Sequence, residues 1–242
     1  MKIATWNIER LKTKKNLIPV VENIRKIDAD ILILTEFNNI VELPFYEFKI
    51  ETQKLPKEPY DYKETERRVA IFSKFPIIKT FKTYDELSSC CAEIQTNLGN
   101  LIVYGTIVGI LGYSDKNFKT DLEKQTKDIN SLSKLGHFCY SGDLNTSFSD
   151  NYYFTHFARE KFIKCFQEND LINTTENLSK NIDHIVVSEN FLNNFKFQIS
   201  EWNINKEFSD HKGICIEYKK KNMDKDTAGN MGLAKAGRRV II

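Results

Sequence analysis

The chain has 242 residues, of which 41% are hydrophobic and 28% are charged, a composition that suits one compact domain or at most two small ones. Its 17 Phe and 10 Tyr, against 10 Gly and 5 Pro, exclude a disordered, collagenous or low-complexity chain. Apolar runs are too short for a membrane-spanning helix. Charged Glu9 and Arg10 interrupt any signal-peptide core, so we expect a cytoplasmic protein with its five cysteines reduced and mostly buried.

The charge divides unevenly along the chain, although the formal net charge is only +2. The segment from Lys219 to the end has seven basic and two acidic residues, which leaves 28 basic and 31 acidic residues in positions 1–218. The body therefore lacks the strongly basic surface of a metal-free nucleic-acid binder. We predict one domain over residues 1–218 and a flexible basic tail, or a remnant of cloning, over residues 219–242.

Strands and helices alternate in the predicted secondary structure. Apolar runs predict strands at 3–8, 30–36, 67–73, 92–96, 101–108, 138–142, 182–188 and 213–218. Helical spacing of apolar side chains predicts helices at 17–27, 115–135 and about 152–168. Many strands with few helices between them favour two packed sheets with the helices outside.

Polar residues cluster at the ends of these apolar strands. A carboxylate in such a place is commonly a turn residue or a helix cap, but the grouping and order of these residue types suit phosphoester cleavage. That reaction needs oxygen ligands for a hard cation, a group that deprotonates water, and donors to the phosphate. The P-loop, G-x-S-x-G and H-E-x-x-H motifs of rival chemistries are absent from the sequence. The candidates are Asn7, Glu36, Asp143, Asn145, Asp183, Asp210 and His211.

Six short motifs in order give the chain a resemblance to a known family. They are Thr5-Trp6-Asn7, Leu34-Thr35-Glu36, Arg68-Val69-Ala70-Ile71-Phe72-Ser73-Lys74, Gly142-Asp143-Leu144-Asn145, Ile182-Asp183-His184-Ile185 and Ser209-Asp210-His211. The sequence resembles the endonuclease/exonuclease/phosphatase superfamily, which has the fold of deoxyribonuclease I, over residues 1–218. The resemblance implies an α+β fold, a four-layer α/β/β/α sandwich of two mixed sheets flanked by helices.

The same resemblance implies a metal site. Glu36 would be the principal ligand of Mg²⁺ or Mn²⁺, and Asn7 would help to place both metal and phosphate. Asp210 would lie near the metal, either as a ligand or just outside its coordination sphere.

It also implies the catalytic roles. Asp143 would orient or activate the attacking water, and Asn145 would donate a hydrogen bond to a phosphate oxygen. His211 would contact the scissile phosphate and assist proton transfer, while Asp183 would fix the tautomer of its imidazole.

One position departs from the family pattern. Members commonly carry a histidine or tyrosine on the strand before the Gly-Asp-x-Asn segment, aimed at the phosphate. Here that strand offers Tyr104 or Thr106, and we expect Thr106 to fill the place because its register matches better. A threonine hydroxyl would donate one neutral hydrogen bond and stabilise charge less than an imidazolium would.

Alternation along strands separates neighbours into one that faces the site and one that does not. We assign Asp183 to the site and His184 to packing or the surface. Arg67 and Arg68 alternate in the same way, and either one could reach phosphate; we expect Arg68 to bind the substrate. Two further histidines, His137 and His156, are expected to be structural or exposed.

The loops between strands set the expected substrate. Residues 9–16 are basic, residues 51–68 mix Lys, Glu, Pro and Tyr, and residues 109–119 bring Tyr113 and Phe118 towards the site. Basic and aromatic side chains together suit a nucleic-acid backbone and a stacked base. We therefore predict a monomeric, metal-dependent nuclease acting on DNA or RNA, with no membrane partner. The alternatives are an enzyme for a small phosphoester, nucleotide-derived or phosphoinositide-like, and an inactive binding module on the same fold.

Overall fold

Twelve strands and four α-helices form within the residues that the structure, a computed structural model, describes: 1–12, 16–58, 61–114, 116–193 and 195–220. The strands are β1 Lys2–Asn7, β2 Ile31–Thr35, β3 Phe48–Glu51, β4 Val69–Ser73, β5 Ile77–Phe81, β6 Ser89–Thr96, β7 Gly99–Ile107, β8 Phe138–Asp143, β9 Leu171–Asn173, β10 Asp183–Ser188, β11 Phe195–Trp202 and β12 Gly213–Lys220. The helices are α1 Leu17–Ile27, α2 Phe118–Leu132, α3 His156–Glu168 and the single turn α4 Glu189–Leu192.

The strands form two six-stranded mixed sheets. The first has the order β11-β12-β1-β2-β4-β3 and the second has the order β5-β6-β7-β8-β10-β9. The pairs β1–β2 and β7–β8 are parallel, and the other pairs are antiparallel. Each sheet thus has a parallel pair at its centre, whose carboxyl ends lie at one edge.

Alternation of side chains across each strand creates three hydrophobic layers. One face of each sheet packs against the other sheet, with Ile33 and Ile71 of the first opposite Val103 and Ile185 of the second. The outer face of the first sheet is covered by α1. Helices α2 and α3 cover the outer face of the second sheet. The predicted four-layer sandwich is therefore confirmed.

Each predicted strand and helix is present in the structure, with shifted ends. Helix α2 begins at Phe118 and α3 at His156, a few residues later than predicted. Strand β12 continues through Lys220, so the first two residues of the predicted tail belong to the sheet. The rest of that tail, residues 221–242, lies outside the described residues. All five cysteines are free and buried, as expected.

Two glycines mark places where the backbone packs too closely for a side chain. A Cβ on Gly105 would lie 2.9 Å from Val69 Cγ1 of the opposite sheet. A Cβ on Gly142, where φ is +139°, would collide with the carbonyl oxygen of Thr106. Gly142 thus lets β8 approach β7 immediately before Asp143, which explains the glycine in the Gly-Asp-Leu-Asn segment.

Candidate active site

The polar strand ends converge at one edge of the sandwich. Asp143 at the end of β8 pairs in register with Asp183 at the start of β10 and with Ile107 at the end of β7. In the other sheet, Asn7 at the end of β1 pairs with Thr35 at the end of β2. The Nδ2 atom of Asn7 donates to Oδ2 of Asp143 at 3.1 Å. This buried hydrogen bond joins the two sheets at the site.

His211 reaches the same edge from the loop before β12. Its Nδ1 lies 2.6 Å from Oδ2 of Asp183. Ser209 fixes the loop, because its hydroxyl donates to the Asn7 carbonyl at 2.6 Å and accepts from the His211 backbone nitrogen at 3.1 Å. Trp6 Nε1 donates to the carbonyl of His211 at 3.1 Å. The imidazole is therefore held by both its ring and its backbone.

Burial and neighbouring charge shift the proton affinities of this cluster. Burial raises the pKa of Asp143 above its usual range, with Asp183 adding to the effect and His211 opposing it. Burial alone would lower the pKa of His211, but the charge and hydrogen bond of Asp183, with the charges of Asp143 and Asp210, raise it to about 10. The ligand atoms of Asp143, Asp183 and His211 all lie within 4.8 Å of one another. The cluster thus pairs a carboxyl that holds a proton readily with an imidazolium.

Asn145 lies beside Asp143 but is held differently from the expectation. Its backbone is left-handed, with φ +47°, and its backbone nitrogen donates to Oδ1 of Asp143 at 3.0 Å. Its Nδ2 donates to the carbonyls of Val108 and Gly109 at 3.0 and 3.2 Å. The amide hydrogens expected to meet phosphate are therefore used to anchor the end of β7, and Asn145 orients Asp143 through its backbone.

The three residues expected to hold a metal come from three different segments of the chain. Glu36, whose backbone is also left-handed with φ +44°, accepts a hydrogen bond from Nε of Arg10 at 3.1 Å. The side chain of Asp210 is 66% exposed, and its Oδ1 lies 3.5 Å from His211 Nε2. Asn7 stands between them at the end of β1. Arg10 beside Glu36 is a contact that the sequence did not predict.

Glu9 is a site residue that the sequence analysis missed. Its backbone nitrogen donates to Asn7 Oδ1 at 2.9 Å, and its Oε2 accepts from the Asp210 backbone at 3.1 Å. Burial alone would raise the pKa of Glu9, but hydrogen bonds from Lys12 and from the Asp210 backbone lower it. The available signal was an acidic residue two positions beyond the strand-end asparagine.

Strand β7 does not present Thr106 to the site. Ile107, the register partner of Asp143, belongs to the core between the sheets, whereas Tyr104 belongs to the core under α2 and α3. By alternation Thr106 shares the face of Tyr104, and it is fully buried with no hydrogen-bond partner for Oγ1. The expectation for Thr106 or Tyr104 is therefore not met. The residue facing the site is Ile107, whose side chain has no group that could donate a hydrogen bond to the phosphate.

Two of the remaining sequence assignments are decided by burial. His184 is fully buried, and its ring contacts the Thr175 hydroxyl and the Thr146 carbonyl at 2.8 and 3.0 Å; burial lowers its pKa to about 3. It is a packing residue, as predicted. Phe118, expected near the site, is instead 2% exposed in the core under α2.

Other predicted residues are exposed or lie outside the described part of the chain. His156 is exposed, and His137 lies at the surface, where its ring contacts Asn190 Oδ1 at 3.0 Å. Lys14, Lys15 and the side chain of Tyr113 lie outside the described residues.

Comparison with known proteins decides the family. A model of the Endonuclease/Exonuclease/phosphatase family matches residues 4–211, which include every candidate residue of the site. The chain belongs to this family. The chemistry for which the family is named is the cleavage of phosphoesters, and the expected resemblance is thereby confirmed.

Solved structures of family folds superpose on most of the chain. An endonuclease/exonuclease/phosphatase from Beutenbergia cavernae DSM 12333 has a TM-score of 0.69 at 14% identity, covering 91% of this chain and 71% of that one. The 3′ phosphatase NExo from Neisseria, bound to a product DNA hairpin, has a TM-score of 0.67 at 16% identity, over 90% and 99%. An AP endonuclease from Archaeoglobus fulgidus has a TM-score of 0.68 at 15% identity, over 90% and 99%. No curated protein sequence gives a match.

Among the described residues, no helix is both long and apolar enough to cross a membrane.

Proposed function

We propose that this protein is a divalent-metal-dependent phosphodiesterase, and specifically a nuclease that hydrolyses DNA or RNA by in-line attack of water. The observation that carries the proposal is the contact between two buried pairs at one edge of the sandwich. One pair is Asn7 with Asp143, and the other is Asp183 with His211. A base and an acid, each held by a partner, are thereby placed within 4.8 Å.

The proton affinities suit these opposite roles. Asp143, with its raised pKa, can accept a proton from the attacking water near neutral pH. Asn7 and the backbone nitrogen of Asn145 orient its carboxylate. Asp183 raises the pKa of His211, so the imidazole carries a proton at neutral pH. Its Nε2, which lies 3.5 Å from the exposed carboxylate of Asp210, can donate to the phosphate as negative charge develops. Asp183 keeps the imidazole charged and oriented.

The donor set fits a divalent cation. Glu36, Asp210 and Asn7 offer carboxylate and amide oxygens around the end of β1, and hard cations prefer such ligands. Asp183 Oδ1 is also buried without a hydrogen-bond partner, which favours a polar or charged group next to the cluster. We assign the cation to Glu36, Asn7 and Asp210, with Glu9 supporting the last two. When bound, Mg²⁺ or Mn²⁺ would neutralise phosphate charge and help to orient the scissile group.

Basic and aromatic side chains on both sides of the cluster support a polymeric substrate. On the His211 side, a cavity is lined by Lys180, Lys206 and Lys212 together with Tyr152, and Lys206 Nζ lies 5.3 Å from the centre of the Tyr152 ring. On the Glu36 side, a second cavity is lined by arginines and a tyrosine. Phosphates flanking a scissile bond would meet positive charge in both directions.

Two of the structural neighbours act on DNA by their descriptions, the 3′ phosphatase bound to a DNA hairpin and the AP endonuclease. They support the choice of nucleic acid. The alternative is an enzyme for a small phosphoester, and the excess of acidic over basic residues in positions 1–218 favours it. A polymer that binds mainly through its phosphates needs a basic protein surface for its affinity more than a small substrate does.

The test offers wild-type protein and Asp143→Asn a panel of substrates. The panel comprises supercoiled plasmid, single-stranded DNA, RNA and bis(p-nitrophenyl) phosphate, each with Mg²⁺, Mn²⁺ or EDTA. The proposal predicts metal-dependent cleavage of at least one polymer, lost in Asp143→Asn. Cleavage of the small ester without cleavage of any polymer would replace the nuclease by the small-phosphoester enzyme. Absence of all cleavage would favour the inactive binding module.

A further inference from the structure

A cavity of about 210 Å³ lies on the Glu36 side of the catalytic cluster. Arginine side chains at positions 10, 67 and 68 line it together with Tyr62, and apolar side chains that include Ile107 and Leu111 form its walls. Because Ile107 is the register partner of Asp143, the cavity begins one strand away from the proposed base.

Two of its arginines already have partners within the protein. Arg67 pairs with Glu51 at 3.1 Å and donates to two backbone carbonyls at 2.8 and 2.9 Å. Arg10 lies 3.1 Å from Glu36 and 3.8 Å from Glu66. Their charges are largely compensated where they stand.

Arg68 differs from both. It is only 8% exposed, its Nε is buried without a hydrogen-bond partner, and within the described residues its guanidinium has no ion pair. Its ring contact is with Tyr62, whose centre lies 5.8 Å from the guanidinium carbon. Arg10 approaches the same ring at 5.5 Å. A buried guanidinium without an anion is costly to the fold, and a bound anion would offset that cost.

The size of the cavity limits that anion. The volume is below that of a pocket for a drug-sized ligand but has room for one phosphate group with part of its ester. Arg68 is largely shielded from solvent, and such burial strengthens a charge-assisted hydrogen bond to phosphate. Glu36 also lines the cavity, and its carboxylate disfavours an anion in the part of the cavity nearest to it.

We infer that this cavity binds a phosphate monoester at the end of the substrate, next to the phosphodiester that is cleaved. The position of the monoester next to a cleaved phosphodiester rests on the proposed function. The binding of an anion in the cavity does not depend on it. Arg68 is the principal residue that binds this phosphate, and Arg10 makes a smaller contribution to its binding. Such a phosphate monoester is present both at a phosphorylated end of a nucleic acid and in a small nucleotide with two phosphate groups.

The first test measures binding without catalysis. Thermal unfolding is followed in EDTA with adenosine 5′-monophosphate, adenosine 3′-monophosphate or adenosine, for wild type, Arg68→Met and the control Arg25→Met, which removes an exposed arginine of α1. We expect a monophosphate at a concentration far above Kd to raise the wild-type Tm by about 2 °C or more. Adenosine should have no effect. Arg25→Met should respond as wild type does, and Arg68→Met should not respond.

The second result expected from the same experiment concerns the protein alone. Without ligand, Arg68→Met should unfold at a temperature equal to or above that of wild type, because it removes an uncompensated buried charge. Absence of a wild-type response to both monophosphates would overturn the inference, as would an equal response in Arg68→Met.

The third test measures substrate preference. Oligonucleotides with phosphorylated or hydroxyl ends are compared, as are dinucleotides with and without a terminal phosphate. We expect wild type to favour the phosphorylated form by about tenfold or more, and Arg68→Met to lose that ratio. A preference confined to dinucleotides would identify a small nucleotide as the source of the phosphate.

The two proposals fail in distinguishable ways. Cleavage by wild type with no preference for phosphorylated ends would overturn the cavity assignment and leave the nuclease intact. Arg68-dependent binding of a monophosphate, with no cleavage of any polymer or ester, would overturn the enzymatic proposal and leave the cavity assignment intact.

Discussion

Nδ1 of His211 lies 2.6 Å from Oδ2 of Asp183, although 28 residues separate them in the chain. Asp183 is in turn the register partner of Asp143 in the neighbouring strand. Two buried carboxylates therefore lie near one imidazole. Their charges raise the pKa of His211, while burial raises the pKa of Asp143. This relationship determines which groups of the candidate site hold a proton at neutral pH.

Replacing Asp183 by Asn should lower the pKa of His211. The substitution preserves the side-chain shape but removes the charge that stabilises the imidazolium, so we expect a fall of about 2 pKa units or more. Hydrolysis should fall about 100-fold or more, because the general acid loses its proton and its orientation. NMR titration of the metal-free protein measures the pKa, and the exposed His156 serves as an internal control. An unchanged pKa of His211 would contradict the assignment.

Replacing Glu36 by Gln should abolish stimulation by Mg²⁺ or Mn²⁺ with little loss of stability. Its side chain is 26% exposed, so its amide needs no new buried partner. Activity at saturating metal should fall about 100-fold or more, to the level of wild type in EDTA. Glu64→Gln, which removes a carboxylate 70% exposed in a surface ion pair, is the matched control. Full stimulation of Glu36→Gln by metal would show that the cation is held by other residues.

Replacing Thr106 by Val should leave turnover within about twofold of wild type, because its buried hydroxyl lies on the face of β7 away from Asp143. Stability should be unchanged or higher, since the substitution removes an unpaired buried hydroxyl, a group that costs about 1–3 kcal/mol. Steady-state kinetics and thermal unfolding measure the two effects. A loss of activity beyond tenfold without unfolding would show that Thr106 acts on the substrate after all.

His184 should make the protein less stable in acid. The unfolded chain protonates this histidine below about pH 6.5, whereas burial keeps it neutral in the folded protein down to about pH 3. Stability is therefore full above pH 6.5 and falls towards pH 3, by at most about 1.4 kcal/mol per pH unit. Denaturant unfolding of wild type and His184→Gln across this range should show a shallower dependence in the variant. Identical slopes would contradict the buried neutral state.

The sequence predicted the strands in the middle of each sheet and missed those at the edges. The four unpredicted strands, β3, β5, β9 and β11, are the four edge strands of the two sheets. A central strand is covered on both faces and so appears as a continuous apolar run, as in β2 and β4. An edge strand such as β5 exposes most of its side chains, and its pattern does not differ from that of a loop.

The sequence predicted the site residues that lie at the ends of strands. It was less reliable where the strand register determines which side chain faces the site. Asn7, Asp143, Asp183 and His211 meet as the motifs indicated. The side chain that β7 offers was placed one residue too early, because a strand has period two and an error of one residue exchanges its faces. Pairing with β8 fixes that register, and a single strand's sequence does not contain it.

Contacts between distant loops were beyond the sequence pattern altogether. Arg10 beside Glu36, and Glu9 between Asn7 and Asp210, depend on a turn whose three residues 9–11 all have left-handed backbones. Such a conformation in non-glycine residues is held by tertiary contacts and not by local preference.

His211, charged by Asp183, is proposed to drive the hydrolysis of a nucleic-acid phosphodiester. The most direct measurement is the rate at which wild type, His211→Ala and the control His156→Ala nick supercoiled plasmid with Mg²⁺ or Mn²⁺ and with EDTA. We expect metal-dependent nicking by wild type and His156→Ala, and a rate about 100-fold or more lower in His211→Ala. Nicking by His211→Ala at the wild-type rate would contradict it.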